Sequence, residues 1–408
     1  MKPTIVIFVA YLDEASYFED LRAEYNCIFN ELSSTETPQE QVERIYRELK
    51  ESSITIDGIF GINEEEKFLT ALLAEKLGLP HLSLRTLYTA QNKAKFAEVA
   101  KKVNQYYPET VVLASVEEIP PVFSYPAWLK PAVGSLSMFA YKIDSKEHLQ
   151  QMLPELLEKK RENPVRLVEL YKPYMQDTAL LHAFLLQPYI NAKQYTVDGL
   201  VFQGNMSLLG MTESVYTADR KSFDRFDYPV RIHEDAFAEL KGILQKLINE
   251  LEYDNAGFNV EFFVKENKII IIELNSRLSQ QFYPLFEQNF QQSPLQMTLE
   301  IAQGKPPNLK KKGRQRCTSS CILRVPHDGI VRAVPSDDEA ERLVQQGSML
   351  KLTYIADPGE KLSDYDQDSY TFRYAWIDIA GDTRQEILGK LDYCKKHLTF
   401  TIEKSLKV

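Results

Sequence analysis

Cysteine is scarce: Cys27, Cys317, Cys321 and Cys394 are all that 408 residues contain. They are too few and too scattered for a disulfide framework. Cys317 and Cys321 are spaced C-x3-C, with no second cysteine pair or histidine pair to complete a zinc site. The expected compartment is therefore reducing, that is, cytoplasmic. The six histidines, His81, His148, His182, His233, His327 and His397, share no metal-binding spacing. Positive charge is in deficit, with 48 Lys and Arg against 58 Asp and Glu for a net charge of −10. That balance argues against a general binder of nucleic acid or of anionic membrane, and leaves room for a local basic site. Long apolar runs are missing too. Thr4 to Leu12 is about half the ~18 residues of a membrane span, and Asp13 and Glu14 end it. One lysine precedes this run and no small-residue cleavage site follows it, so it reads as a buried first strand and not as a signal peptide. Neither GxGxxG nor GxxxxGK[ST] occurs, which removes the two commonest phosphate-loop signatures.

What is present suits a large globular chain. Hydrophobic residues make up 44%, enough to bury a sizeable core, and at ~150 residues per domain the length predicts two or three domains. Ile5 to Val9 reads as a short buried strand, Gln39 to Lys50 as a helix, and Ile54 to Phe60 as a β-branched strand. Glu64 to Leu77 reads as an amphipathic helix closed by Gly78 and Pro80. Strands alternating with helices imply a parallel sheet with covered faces, hence a small Rossmann-like lobe over residues 1–90. Asn92 to Val103 follows as a helix rich in Lys and Ala. Trp128 to Ile143 reads strand, turn, strand, and Leu180 to Leu200 is an apolar run broken at Gln187-Pro188. Phe258 to Val264 and Ile269 to Ile272 read as two strands with Glu266 and Asn267 turning between them. Pro306-Pro307 and Lys310-Lys311-Lys312-Gly313-Arg314 read as a solvated connector. Beyond it, residues 314–408 read as a third, smaller α+β unit, with strands at Cys321 to Val334 and Ala375 to Ile379 and a helix at Asp382 to His397.

The sharpest chemical pattern lies in that hairpin. A turn between Glu261 and Glu273 folds two carboxylates onto one face, and the period-two alternation of a strand adds Asn275 and Arg277 to it. Three oxygen-bearing side chains converging there make a hard-cation site suited to Mg²⁺ shared with phosphates. The forked guanidinium of Arg277 can reach a phosphoryl or carboxylate oxygen. Exposed alternation on an antiparallel edge is the plainer alternative. A second pattern is Lys130-Pro131-Ala132-Val133-Gly134-Ser135-Leu136-Ser137, a lysine leaving a strand beside a small flexible turn whose amides can cradle phosphate. A hairpin with a surface lysine fits it equally well. Gln187-Pro188-Tyr189-Ile190 is a third, a connector whose backbone can bond an adenine edge. The cluster Phe223, Phe226 and Tyr228, with Arg220, Lys221 and Arg225, reads either as a substrate loop or as a packed flap.

In order and spacing these pieces resemble the ATP-grasp superfamily of carboxylate ligases over residues 1–305. The matching stretches are Asn92-Lys93, Lys130 to Ser135, Gln187 to Ile190, Gln194-Tyr195-Thr196-Val197-Asp198-Gly199, and Glu261 with Glu273-Leu274-Asn275-Ser276-Arg277. The third unit looks like the C-terminal domain of the L-amino-acid ligase and carnosine-synthase branch. The resemblance implies a two-lobed ATP-grasp domain over residues 91–305. It implies an ATP-dependent ligase that makes an amide bond through an acylphosphate. It also assigns residues: Lys93, Lys130, Gly134 and Ser135 on phosphates, Gln187, Pro188, Tyr189 and Ile190 on adenine, and Gln194 on the ribose. Glu261, Glu273 and Asn275 would hold two Mg²⁺ ions, with Mn²⁺ as a substitute, and Arg277, Glu273 and Asn275 would be catalytic. Small-molecule carboxylates and amines are the expected partners, with a homodimer as an open assembly and no nucleic acid or membrane. The chain departs from the family where Gln187 and Gln194 replace the usual glutamates, and where Leu278-Ser279-Gln280-Gln281 replaces a glycine-containing stretch. Biotin-carboxylase-like or purine-pathway chemistry, and a regulator that binds nucleotide without catalysis, are the rival expectations.

Overall fold

The computed structural model describes residues 2–10, 12–134, 138–162, 166–174, 178–313 and 316–405. The first strand, Thr4–Val9, is buried along its whole length because it runs parallel between Asn26–Glu31 and Gly58–Gly61. A central parallel strand is covered on both faces, which is why its sequence is a continuous apolar run. Val6 and Phe8 pack with Val42 and Ile45 of helix Pro38–Ser52 and with Phe68 and Leu69 of helix Glu64–Leu77. Ile5, Ile7 and Val9 face the other way, onto Leu295 and Leu299 of helix Pro294–Ala302. The Rossmann-like lobe is therefore sealed by a helix from nearly 300 residues along the chain. The expected strand at Ile54 to Phe60 shrinks to Gly58–Gly61, and Ile54 is 47% exposed. β-branching alone does not make a strand without a partner in register.

Helix Glu64–Leu77 begins at Asn63, whose backbone amide donates to the Glu66 carboxylate, and ends at Gly78 with φ 67°. The positive φ is the left-handed cap that glycine adopts without steric cost. Gly61 leads into this helix, and a Cβ there would sit 2.6 Å from the Glu66 Cβ and 2.7 Å from its backbone carbon. Only glycine lets strand and helix approach this closely.

A four-stranded sheet of Val111–Leu113, Phe184–Pro188, Ala127–Pro131 and Tyr141–Ile143 forms a small lobe. The main sheet has eight strands, ordered Lys268–Asn275, Ala256–Lys265, Lys193–Phe202, Asn205–Tyr216, Phe223–Tyr228, Cys317–Val325, Phe372–Gly381 and Lys351–Tyr354. It crosses the stretch read from sequence as a connector: Cys317–Val325 pairs antiparallel with Phe223–Tyr228. The connector itself is exposed but fixed. Lys311 bridges to Phe290, and the Lys312 amide donates to the Asn289 carbonyl at 2.8 Å. Backbone pairing here holds a lysine-rich stretch whose side chains stay in water. Arg314 lies outside the described residues.

Helix Glu234–Glu250 covers one face of the main sheet, with Leu240, Leu244 and Leu247 against Val197, Val260 and Phe262. The opposite face of the same strands lines a cavity. Among the described residues no helix is long and apolar enough to cross a membrane.

Candidate active site

The hairpin of Ala256–Lys265 and Lys268–Asn275 turns through Glu266 and Asn267, both at positive φ (53° and 61°). Two positive φ values make the tight turn that suits the right-handed twist of paired strands. Glu261 and Glu273 are direct register partners. The register slips between Glu261 and Phe262, so that Phe262 pairs with Ile271 and Ile272 is left over. This bulge resolves a conflict hidden in the sequence. Strict alternation would put Glu273 on the face of Ile269 and Ile271, both of which are in the apolar core. One extra residue reverses the phase and turns Glu273 and Asn275 into the cavity. The strand ends at Asn275, so Arg277 is not its next same-face residue. Arg277 reaches the cavity from the loop, where its Nε lies 3.0 Å from Oε1 of Glu64, the first residue of helix Glu64–Leu77.

Two lysines complete the polar end. Lys93 opens helix Lys93–Val103, capped by Asn92, whose Oδ1 accepts from the Ala94 and Lys95 amides. Its Nζ donates to the Gly134 carbonyl at 2.6 Å and lies 3.3 Å from Oε2 of Glu273. Lys130 is buried on strand Ala127–Pro131. Burial holds its pKa down, to about 8; Glu273 opposes that, Lys93 reinforces it, and Glu261 opposes it more weakly. The two carboxylates diverge. Burial and then the Glu273 charge push Glu261 up, while burial of Glu273 is outweighed by Lys93 and Lys130, which hold it down. Glu261 also accepts from Nε2 of Gln194 at 2.8 Å. Paired buried carboxylates of this kind need a cation nearby.

Asn275 is oriented by a relay that sequence reasoning missed. Its Nδ2 donates to Asn259 Oδ1 at 3.2 Å, and Asn259 Nδ2 donates to Asp198 Oδ2 at 2.8 Å. Asp198 Oδ1 accepts from the Ser279 amide at 2.9 Å, which ties down the loop beyond Arg277. Burial pushes Asp198 up to about 7, against the Ser279 and Asn259 bonds and the Arg277 charge. The relay occupies the Asn275 amide nitrogen, so its oxygen is the atom that could meet a cation. The donor set is thus two carboxylates and one amide oxygen. Among the described residues no group of three or more His, Cys, Asp or Glu is placed to hold a metal. The set fits Mg²⁺, a hard ion that takes few protein ligands and fills its shell with phosphate oxygens and water.

At the other end, the Gln187 side chain is held by Thr110, its Nε2 donating to Thr110 Oγ1 at 2.8 Å. The Tyr189 amide is taken by the Pro126 carbonyl at 3.0 Å. Lys93, Lys130, Gly134, Gln187, Pro188, Tyr189, Ile190, Gln194, Glu261, Glu273, Asn275 and Arg277 all line one cavity of about 280 Å³. Ser135, with Leu136 and Ser137, lies outside the described residues. Of the aromatic cluster, Phe223 and Phe226 face the cavity, whereas Tyr228 is buried and donates to the Leu209 carbonyl. Phe223–Tyr228 is neither a loop nor a flap but a strand paired on both sides within the main sheet, so that its side chains divide between cavity wall and core.

Residues 123–284 match the sequence model of the ATP-grasp domain. The chain carries an ATP-grasp domain. It is 26% identical over 255 residues to the carbamoyl phosphate synthase large chain of Sulfurisphaera tokodaii, a match covering 58% of this chain and 22% of that one. The chain spans only about a fifth of the length of the curated relatives it matches. Among solved structures, an L-amino acid ligase from Bacillus licheniformis superposes with a TM-score of 0.75 at 14% identity, covering 99% of both chains. A phosphoribosylglycinamide synthetase from Anaerococcus prevotii gives 0.66 at 15% identity, covering 99% of this chain and 100% of that one. The likeness of fold to these two structures extends over almost the whole chain, and the cavity lies where the small lobe, the main sheet and the C-terminal strands meet.

Proposed function

We propose that the protein is an ATP-dependent carboxylate–amine ligase that works through an acylphosphate. The observation that carries this reading is the opposition of Glu261 and Glu273 in a buried cavity that also holds Lys93, Lys130 and Arg277. Adenine would sit on the Pro188 carbonyl and the Ile190 amide, since the Tyr189 amide is already bonded. Gln194 would meet the ribose, and Lys93 and Lys130 the phosphates, Lys93 exchanging Gly134 and Glu273 for phosphoryl oxygens. Glu261, Glu273 and Asn275 would hold Mg²⁺, which when bound neutralises charge on the β- and γ-phosphates. One oxygen of the carboxylate substrate attacks the γ-phosphorus, and ADP leaves. The amine nitrogen then attacks the acyl carbon, loses its proton, and expels phosphate with that oxygen. Little covalent work falls to the protein; positioning and charge stabilisation carry the reaction. Arg277, two residues beyond the end of the acidic strand and in the cavity lining, would meet the oxyanion.

A second reading, phosphorylation of bicarbonate, is favoured by the likeness to the carbamoyl phosphate synthase large chain. Release of ADP across pools of amino acids and small carboxylic acids separates the two. The ligase reading predicts release that needs an acid and an amine together. Release with bicarbonate alone supports the second reading, and ATP binding with no stimulated turnover contradicts both. Glu273→Ala should bind adenosine as the parent does and lose Mg²⁺-dependent release; turnover at the parent rate in saturating Mg²⁺ would sink the metal assignment.

A further inference from the structure

Of the loop that follows strand Ala127–Pro131, residues Ala132, Val133 and Gly134 are described, and a lysine takes each of their carbonyls. The Ala132 carbonyl accepts from the Lys93 amide at 2.7 Å, the Val133 carbonyl from Lys160 Nζ at 2.8 Å, and the Gly134 carbonyl from Lys93 Nζ at 2.6 Å. Lys93 also reaches Glu273 and lines the cavity. Lys160 does neither: it lies outside the cavity lining and is only 1% exposed. It stands in the last turn of helix Lys146–Glu162, next along the stripe of Leu149, Leu153 and Leu156 that packs with Leu129 and Phe184 of the small lobe. That stripe is the apolar face of the helix, where a lysine is out of place. Its Nζ lies 5.5 Å from the centre of the Phe184 ring, and among the described residues no carboxylate acts on it. Burial holds its pKa down, to about 7, and the Lys93 charge adds to the effect. An ammonium buried with one carbonyl and one ring face for company costs stability. Methionine would fill the same space without that cost, so packing does not account for Lys160.

We propose that Lys160 is a positioning residue for the nucleotide phosphates, one that no substrate touches and that acts by holding the Val133 carbonyl from behind the loop. The role rests on the nucleotide reading of this cavity. A carbonyl oxygen is the negative end of its peptide dipole, so a loop that meets polyphosphate must commit its carbonyls elsewhere and present its amides. The Val133–Gly134 peptide is trans, since the cis bonds among the described residues are Tyr125–Pro126 and Tyr228–Pro229. In a trans peptide the N–H points opposite to the C=O. Drawing the Val133 carbonyl back onto Lys160 therefore turns the Gly134 amide forward, toward the cavity that Gly134 lines. In the free protein two ammoniums share the loop. When ATP enters, Lys93 would leave Gly134 for phosphoryl oxygens, and Lys160, with no access to the cavity, would stay on Val133. The loop would then keep its shape at the moment its other lysine is drawn away.

The test measures binding and does not depend on turnover. A non-hydrolysable ATP analogue with Mg²⁺, and adenosine, are titrated separately into wild type and variants by calorimetry. Lys160→Met should lose about tenfold in affinity for the analogue, the lower end for a hydrogen bond from a charged donor, and bind adenosine as wild type does. Lys160→Arg keeps a charged donor and should recover part of the loss. A merely structural role would weaken both ligands together, and that result, or full affinity for the analogue in Lys160→Met, overturns the proposal. Val133-Gly134 is the only Val-Gly pair in the sequence. Protein with ¹³C in its valine carbonyls and ¹⁵N in its glycine amides therefore gives one correlated resonance for this peptide. In wild type the Gly134 nitrogen should shift with the analogue and not with adenosine. Absence of that shift overturns the proposal even if Lys160→Met does not fold. Wild type that prefers the analogue no more than adenosine would overturn the nucleotide reading itself, whereas a preference kept intact in Lys160→Met removes Lys160 alone.

Discussion

Individual side chains in this site are committed to partners that a bound substrate must displace or use. Arg277 is held by Glu64 at 3.0 Å, with both side chains mostly buried. A guanidinium held in that way is oriented before the reaction begins, which is the condition for strong electrostatic stabilisation. Arg277→Lys keeps the charge and loses the fork, so kcat should fall by roughly 10²–10³ while the Kd for ATP moves little. Steady-state rates beside ATP titrations check this; lost ATP affinity at unchanged kcat would make Arg277 a nucleotide-binding residue. Lys130 leads to a pH prediction. Its free-state pKa is lowered to about 8, with burial first among the causes, then the Glu273 charge working against it and the Lys93 charge adding to it. A phosphate favours the protonated form and raises the pKa on binding. Binding therefore takes up a proton near and above pH 8, and ATP affinity should be full below about 8 and fall as pH rises beyond it. Titrations at pH 7 and pH 9 in buffers of different ionisation enthalpy should show this uptake. Lys130→Arg, charged throughout, should abolish it, and a pH-independent wild-type affinity would remove Lys130 from the phosphate site.

At the scale of elements, the hairpin and the helix that presents Lys93 were legible because their causes are local. A two-residue turn between apolar runs fixes which strands pair, and Asn92 ahead of Lys93 and Ala94 announces the helix start. The bulge at Ile272 was not legible. It exists because Ile269 and Ile271 are drawn into the core while Glu273 is drawn out of it, a conflict that appears only once the sheet has a covered face. Tertiary pairing also hid Glu64 against Arg277, and Arg324 opposite Arg373, since neither pair has a sequence spacing to betray it. The overlong reading of Ile54 to Phe60 errs in the other direction, taking composition for pairing. The approach of strand Gly58–Gly61 to helix Glu64–Leu77 positions Glu64, so it joins fold to site. Gly61→Ala puts a methyl group into the Glu66 backbone. It should destabilise the protein by about 1–3 kcal/mol and lower kcat through Glu64, read by denaturant unfolding beside the rate. A neutral effect on stability would mean that the helix can withdraw at no cost.

The whole molecule is joined across the boundaries that the sequence suggests. One eight-stranded sheet runs from the acidic hairpin into the C-terminal unit, and helix Pro294–Ala302 closes the N-terminal lobe. Tyr370 of the C-terminal unit meets the small lobe, its hydroxyl accepting from the Lys142 amide at 3.0 Å. The hairpin carboxylates, Lys93, Lys130 and the arginines Arg324 and Arg373 of the C-terminal unit thus line one cavity, and the proposed acylphosphate would need such shelter from water. Acylphosphate formation is the central claim, and the fate of one oxygen tests it. Carboxylic acids labelled with ¹⁸O in the carboxylate, incubated with ATP, Mg²⁺ and the amine pool, should deliver one labelled oxygen into each inorganic phosphate released with ADP. Release of ADP and unlabelled phosphate at the same rate would show that water and not a carboxylate attacks the γ-phosphate, and would contradict the account.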